Sequence, residues 1–474
     1  MRLALIAIAA TALCVSAAAA DPWATLATRD LDAIHDLLLA NHPGPVDPQN
    51  PAFKDWLEKG LREAKARAAT AASLEDYQRA VRFYTNGFRD GHIGVGFYYT
   101  PRDDEWPAFV VGADGNAVTV AYVENNAGVP VGANLISCDG QSVDALLAAR
   151  SDPYYWNADI PHLRFGRAYH LFYQAEADNQ PKLESCVFSS GTVTLHWRKI
   201  ADAELQKTLD HAQGRDTKLP SVKQIDGVWL VSLPRFYFQT DAETAAMHAV
   251  IGSLKKNADV MRKGTVVFDV RGNNGGNSNW GEEVVGAFWG EGWRAQADAL
   301  VGGNVVDWRA SPANLAMLRK DKEQAAAAGL ETGSVNQDIA AIEAAIKQKK
   351  TFAHVVDMSD SVASATPPPN PVTGRVYFLT DNACGSACLD FADLMHKLPG
   401  VVQVGLPTSA DTVYMDIANA PLPSGLAQLG WGMKVYRDRS RGNNVWYEPK
   451  YLWAGGAMND DEAIMRWIKS LPRD

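Results

Sequence analysis

Two apolar runs, each ending in a turn of small residues, constrain this chain more than anything else in it. Gly264-Thr-Val-Val-Phe-Asp-Val-Arg-Gly-Asn-Asn-Gly-Gly276 and Val376-Tyr-Phe-Leu-Thr-Asp-Asn-Ala-Cys-Gly-Ser-Ala-Cys-Leu-Asp390 open with near-continuous apolar stretches instead of an apolar-polar alternation. Such stretches mark strands buried on both faces, as in a parallel sheet covered by helices, so the pair predicts an α/β layer fold. The second run lifts Ser386 onto the start of a helix. The first ends in glycines, which let peptide N–H groups point into a cavity at low steric cost. This is a layout for a serine nucleophile facing an anion site built from backbone amides.

The flanking sequence divides into regions of different periodicity. Residues 1–20 begin Met-Arg, continue through an apolar stretch and end Ala18-Ala19-Ala20, the form of a secretory signal peptide. Cleavage near Ala20 is expected, giving an exported protein, periplasmic or extracellular. Residues 21–100 show helical spacing in Leu31, Ile34 and Leu38, in Trp56, Leu57 and Leu61, and in Tyr77, Val81 and Tyr84, with a break at His42-Pro-Gly-Pro-Val-Asp-Pro48. Residues 101–200 change to short strands, among them Ala117–Val123, Asn134–Cys138 and Thr192–Trp197.

Residues 201–474 read as the α/β core, with strands near 227–233, 265–270, 375–380 and 401–405 and helices near 243–258, 279–289 and 385–397. A helical insertion over 300–370 holds two Ala-rich polar helices and the Pro-rich Thr366-Pro-Pro-Pro-Asn-Pro371, either a solvated decoration or a cap over the site.

Charge and cysteine content narrow the partners. With 45 basic against 55 acidic residues the chain is net negative, and phosphate binding rests on basic patches, so nucleic acid is not an expected partner. No later run approaches the roughly 18 to 20 apolar residues of a membrane span. The expected partner is a peptide or unfolded protein, with oligomeric state left open. Of five cysteines, four follow residue 20, and an even number in an exported chain suggests disulfides. Cys138–Cys186 is the first pairing. Cys384 and Cys388, flanking Ser386, either bond across the turn or pack as two buried thiols. There is no H-E-x-x-H, no paired C-x-x-C and no G-x-G-x-x-G, so no metal or cofactor is expected.

A serine attacks carbonyls only when a base takes its proton and donors meet the oxyanion. Ser386, between Gly385 and Ala387, has small neighbours that leave room for substrate, though a serine in such a place is often just a helix N-cap. Among ten histidines, His92 stands out in Phe88-Arg-Asp-Gly-His-Ile-Gly-Val-Gly96, a polar turn leading into a strand.

These residues carry a family resemblance. The Phe268-Asp-Val-Arg-Gly-Asn-Asn-Gly-Gly276 segment resembles the signature strand and turn of the carboxyl-terminal processing (tail-specific) serine peptidases, and Thr380-Asp-Asn-Ala-Cys-Gly-Ser-Ala387 resembles their nucleophile turn. Val404-Gly-Leu-Pro-Thr408 is similar to the strand after that turn, and Ala127–Val143 to the late part of their PDZ-like module.

The resemblance implies a crotonase-like (ClpP-like) core with a PDZ-like module and N-terminal helices. It also implies Ser386 as nucleophile and an oxyanion hole from Gly275, Gly276 and Ala387. Many members use a lysine base some 25 residues past the serine, where this chain reads Thr408-Ser-Ala-Asp-Thr-Val-Tyr414 and has none. The tricorn and retinoid-binding-protein-like branch instead carries an Asp-x-His motif, which Asp90-Gly91-His92 matches, and a loop that His42-Pro-Gly resembles. His92 is therefore assigned as general base and Glu448, in Tyr447-Glu-Pro449, as the orienting acid. Two further readings are a peptide-binding protein of the same fold that has lost activity, and a hydrolase of small esters, since the same machinery serves any acyl transfer.

Overall fold

The computed structural model describes residues 21–472, apart from 99–102, 116, 125–126, 176–177, 179, 214–217, 328–331, 357–365 and 456–457. The segment expected to be a signal peptide lies outside the described residues.

Both diagnostic runs lie side by side in a six-stranded sheet. Its order is Ser221–Ile225, Val228–Ser232, Thr265–Asp269, Arg375–Thr380, Val401–Gly405 and Tyr451–Leu452. The first pair is antiparallel and every later pair is parallel, with Phe268 opposite Phe378 at the centre. Alternate residues of these strands face opposite layers. Val266, Phe268, Val376 and Phe378 pack on helices Asp241–Met261, Asn279–Trp289 and Ala387–Met395. Val267, Tyr377 and Leu379 pack on the helix Asp461–Ser470 through Ile464, Met465 and Ile468. Burial on both faces is why the strands are apolar throughout.

Three helices, Pro22–Asn41, Pro51–Ala68 and Leu74–Asn86, form the N-terminal region. They do not close on themselves. Leu31, Ile34, Leu57, Tyr77 and Tyr84 share one core with Trp308, Leu318, Ile342, Leu429 and Trp431. Trp308, Leu429 and Trp431 come from a second sheet, in which Gly94–Phe97, Ala427–Tyr436, Val305–Arg309 and Phe352–Val356 lie in that order and Tyr414–Pro421 pairs with Ala427–Tyr436. The two helices Pro312–Ala327 and Gly333–Lys347 are part of this unit, since Leu318 and Ile342 are buried in it and Asn314 donates to Asn41 O at 2.9 Å.

The β-rich stretch beginning at Asp103 keeps its own core around Phe109, Val111, Phe172 and Phe188. It contains the expected Cys138–Cys186 disulfide. Among the described residues, no helix is long and apolar enough to cross a membrane.

Candidate functional site

Ser386 occupies the junction between the strand Arg375–Thr380 and the helix Ala387–Met395, with φ 52° and ψ −126°. A non-glycine residue adopts such a backbone only where its surroundings hold it there, at a cost of roughly 1–3 kcal/mol. The N-cap alternative fails on a simple test, because the hydroxyl makes no capping hydrogen bond to the helix. The side chain is thus directed away from the one structural task its position offers.

The glycine turn presses against this residue. A Cβ on Gly275 would lie 2.8 Å from Ser386 Cβ, 2.8 Å from Gly385 O and 3.0 Å from Ala387 N. Gly275 and Gly276 have φ of 104° and 134°, conformations open to glycine. The amides of the turn have different fates. Gly275 N–H donates to Asn273 Oδ1 at 2.9 Å and is held inside the turn. Gly276 forms a parallel bridge with Phe236 in which Phe236 N–H donates to Gly275 O and Asn277 N–H to Phe236 O, so the pairing leaves Gly276 N–H out. Ala387 N–H belongs to the first turn of its helix, where amides lack intrahelical partners and the dipole favours negative charge.

Asp381 joins the two turns. Its carboxylate accepts from Gly272 N–H at 2.9 Å and from Ala383 N–H at 3.0 Å. Beneath the glycine turn, the buried Arg271 guanidinium binds Asp269, Asp461 and Met458 O. Those partners, offsetting its burial, raise its pKa and hold it charged, and Asp461 is held well below the usual carboxylate range despite its own burial. Neither Asp381 nor Asp461 stands out in the sequence, since an acid in a loop or at a helix start carries no mark of what it will bind.

The segment Thr408–Thr412 connects the serine turn to His92. Ser409 N–H donates to Cys384 O at 3.0 Å, and three residues on Thr412 Oγ1 donates to Asp90 Oδ1 at 2.9 Å. Three residues of chain span at most roughly 10 Å. From the other side, Asn444 Nδ2 donates to Arg89 O at 2.9 Å, and the strand that begins at Gly94 pairs with Ala427–Tyr436. The Asp90-Gly91-His92 turn is therefore fixed to the C-terminal half of the chain near the serine.

Asp90 sits between two histidines. Its Oδ1 accepts His92 N–H at 2.8 Å and lies 3.8 Å from His92 Nδ1, and its Oδ2 lies 3.4 Å from His42 Nε2. The His42 ring stacks on Phe53 with centroids 4.5 Å apart, and its Nδ1 accepts from Gly44 N–H. His42 is kept neutral by burial, against the pull of Asp90, while Asp90 is held below the usual carboxylate range by its histidine contacts, which outweigh its burial.

Glu448 is exposed, accepts from Trp446 Nε1 at 2.7 Å, and is near enough to His162 to raise that ring's proton affinity against its burial. Lys434 is partly buried in its hairpin against Asp416 at 3.0 Å, and that carboxylate keeps it protonated, the form that cannot take a proton from a serine.

Burial lowers the pKa of His42, His162, His170 and His396, whereas two carboxylates raise that of the partly exposed His35. A lowered folded-state pKa means the unfolded chain binds the proton first, so stability is lost as pH falls below the unfolded value of about 6.5. With four rings acting in this direction and one against it, the urea midpoint is expected to be lower at pH 5.5 than at pH 7.5. A midpoint that held or rose would show that these rings are not buried neutral.

Comparison with known proteins places the core. The sequence matches Peptidase family S41 over residues 228–439, a span that holds the glycine turn and Ser386 but neither His92 nor Glu448. Among solved structures, mature CPAF is 13% identical with a TM-score of 0.59, covering 93% of this chain and 95% of that one. CPAF complexed with lactacystin is 14% identical with a TM-score of 0.57, covering 90% and 93%. At such identities the likeness is one of fold, over nearly the whole length of both chains. Among curated proteins no match was found.

Proposed function

We infer that this chain is a serine-type peptidase of family S41, whose model matches residues 228–439, and that it hydrolyses peptide bonds through an acyl-enzyme on Ser386 with His92 as general base. The single observation that carries the reading is the backbone of Ser386, held in a rarely populated conformation against Gly275 with its hydroxyl unused by the helix. Neutral His92 takes the Oγ proton as Oγ attacks the scissile carbonyl. The oxyanion meets the N–H groups of Gly276 and Ala387 at the positive end of the helix, while Gly275, its own amide engaged, shapes the turn. Protonated His92 then gives its proton to the leaving amine, and water repeats the sequence to release the acid.

Asp90 is the carboxylate we assign to orient His92, in place of Glu448. It is buried, tethered by Thr412, and within 3.8 Å of Nδ1, and such contacts lengthen in a free enzyme and tighten with substrate. Asp90→Asn is expected to lower kcat by about 10²- to 10⁴-fold, as removal of an orienting acid does, while Glu448→Gln changes it little. The reverse order in a kcat comparison would restore Glu448 to the triad.

The missing lysine and the Asp-x-His turn support a reading of the chain as a member of the tricorn-like branch of the family. The six-stranded sheet and its helices correspond to a crotonase-like core, and the β-rich module, with Val131, Ile136 and Val187 exposed, to a PDZ-like unit that holds an extended peptide or unfolded segment by strand addition. Two disulfides fit an oxidising compartment and hence export.

The test is intact-mass measurement after treatment with a fluorophosphonate, comparing wild type with Ser386→Ala and His92→Ala. One adduct on wild type, absent in both variants, is expected. Folded wild type that takes no adduct would replace this reading with that of an inactive peptide-binding protein.

A further inference from the structure

The cysteines that flank the nucleophile are joined by a disulfide, Cys384–Cys388, whose sulfurs take no part in the acyl-enzyme chemistry of Ser386. Both cysteines are fully buried, in the core that also contains Ala387, Phe391 and Phe236. The bond encloses Gly385, Ser386 and Ala387, the three residues that present the nucleophile and one oxyanion donor.

What holds Ser386 in its unfavourable backbone is unequally distributed. Downstream, Leu389 N–H and Asp390 N–H donate to Ser386 O at 2.7 and 3.2 Å, so the peptide after the serine is fixed by the helix. Upstream, Cys384 O accepts from Ser409 N–H at 3.0 Å and Cys384 N–H donates to Asp381 O at 3.2 Å, while Gly385, next to the serine, has a longer tie of 3.4 Å from its N–H to Asn273 O. One hydrogen bond crosses the serine, from Cys388 N–H to Gly385 O at 3.0 Å. The disulfide is the covalent tie that crosses it as well, and it joins the upstream arm, whose tie at Gly385 is long, to the helix.

Given a peptidase with Ser386 as its nucleophile, on which the inference rests, we propose that Cys384 and Cys388 are positioning residues whose disulfide holds Ser386 in the attacking conformation, so that the chain is competent only in its oxidised form. With both sulfurs as thiols, the upstream arm relaxes toward ordinary φ values, Ser386 Oγ leaves the line between base and oxyanion donors, and the N–H of Ala387 turns with it. A buried bond is sheltered from small reductants once the chain has folded, so this is a condition met during folding and not a rapid switch.

The experiment uses the full chain with a fluorophosphonate and a fluorogenic peptide. In Cys384→Ala/Cys388→Val, which refills the core with apolar groups, kcat and the phosphonylation rate are both expected to fall about 10- to 100-fold, the range that backbone strain of this kind corresponds to. KM should stay within about twofold, because the surfaces that bind the peptide are untouched. Cys138→Ala/Cys186→Val, which opens the other disulfide, should leave the phosphonylation rate, which does not draw on the peptide-binding module, unchanged at temperatures well below its melting point. A folded 384/388 variant that reacts at the wild-type rate overturns the proposal.

If that variant does not fold, wild type is treated with a water-soluble phosphine, with sub-denaturing urea raised until the bond opens. The phosphine becomes its oxide with oxygen from water, and two electrons and two protons pass to the sulfurs. The probe is added next and iodoacetamide last, and one tryptic peptide then reports both Ser386 and its flanking thiols. Adduct confined to peptides with the disulfide intact is the expected result, and adduct on peptides with both cysteines alkylated overturns it. Wild type that takes no adduct under any condition would instead sink the peptidase reading, so the two failures are distinct.

Discussion

Ser386→Ala is expected to lose turnover by about 10⁴- to 10⁶-fold while melting at nearly the wild-type temperature. The two halves of that result separate a nucleophile from an N-cap. A serine whose hydroxyl closes the first turn of a helix contributes about 1 kcal/mol, and its loss would register in the melting temperature. Here the hydroxyl makes no such bond, so deleting it removes chemistry and leaves the helix as it was. His92→Ala should cost a similar factor, and the double variant should be little worse than either single one, because a nucleophile without its base and a base without its nucleophile are equally idle. Peptide turnover and calorimetry on the three variants check this. Losses that multiplied in the double variant would mean that the two residues act independently, and the His92 assignment would fall.

The parts of this molecule legible in its sequence are those whose physics is local. Val-Val-Phe and Val-Tyr-Phe-Leu are apolar on consecutive positions because helices cover both faces of the sheet, and the strands at Thr265–Asp269 and Arg375–Thr380 lie where the pattern ends. The helix after Ser386 starts at Ala387, two residues beyond the expected start, because the serine itself takes a non-helical backbone that no propensity scale registers.

Where contacts are long-range the sequence says less. Tyr414–Pro421 mixes Asp, Asn and Pro with apolar residues and carries no clear strand period, yet it pairs along its length with Ala427–Tyr436. The helices of 312–347 look like solvated decoration because most of their residues are polar or alanine, while a few larger apolar ones, among them Leu318 and Ile342, reach the core of the N-terminal helices. That core could not be anticipated from the N-terminal periodicity alone, since half of it comes from residues beyond position 300.

The same limit applies to the acid we propose. Spacing cannot decide which carboxylate a histidine meets, and Asp90, two residues before His92, reads as part of a motif, while its contacts with Thr412 and His42 appear only in three dimensions.

Gly275→Ala tests the contact on which the site depends, and its expected effect is a loss of about 10²- to 10³-fold in kcat, the scale of a disrupted oxyanion site. The added methyl would stand 2.8 Å from Ser386 Cβ and Gly385 O and 3.0 Å from Ala387 N, closer than real Cβ atoms come to backbone. Something must shift, and two of the three neighbours are backbone atoms of the nucleophile turn. The same substitution also places a side chain at φ 104°, so a control must share that backbone penalty. Gly272 provides it, with φ 78° in the same turn and nothing within 4 Å of its Cβ position. Gly272→Ala should lower the melting temperature and leave kcat within about threefold, because left-handed backbone carries a stability cost without moving the serine. If the two variants lost kcat equally, backbone strain in the glycine turn would explain the loss, and the close approach of Gly275 to Ser386 would have no separate part in catalysis. If only Gly275→Ala lost it, the rate would be tied to the few ångströms between one glycine and one serine.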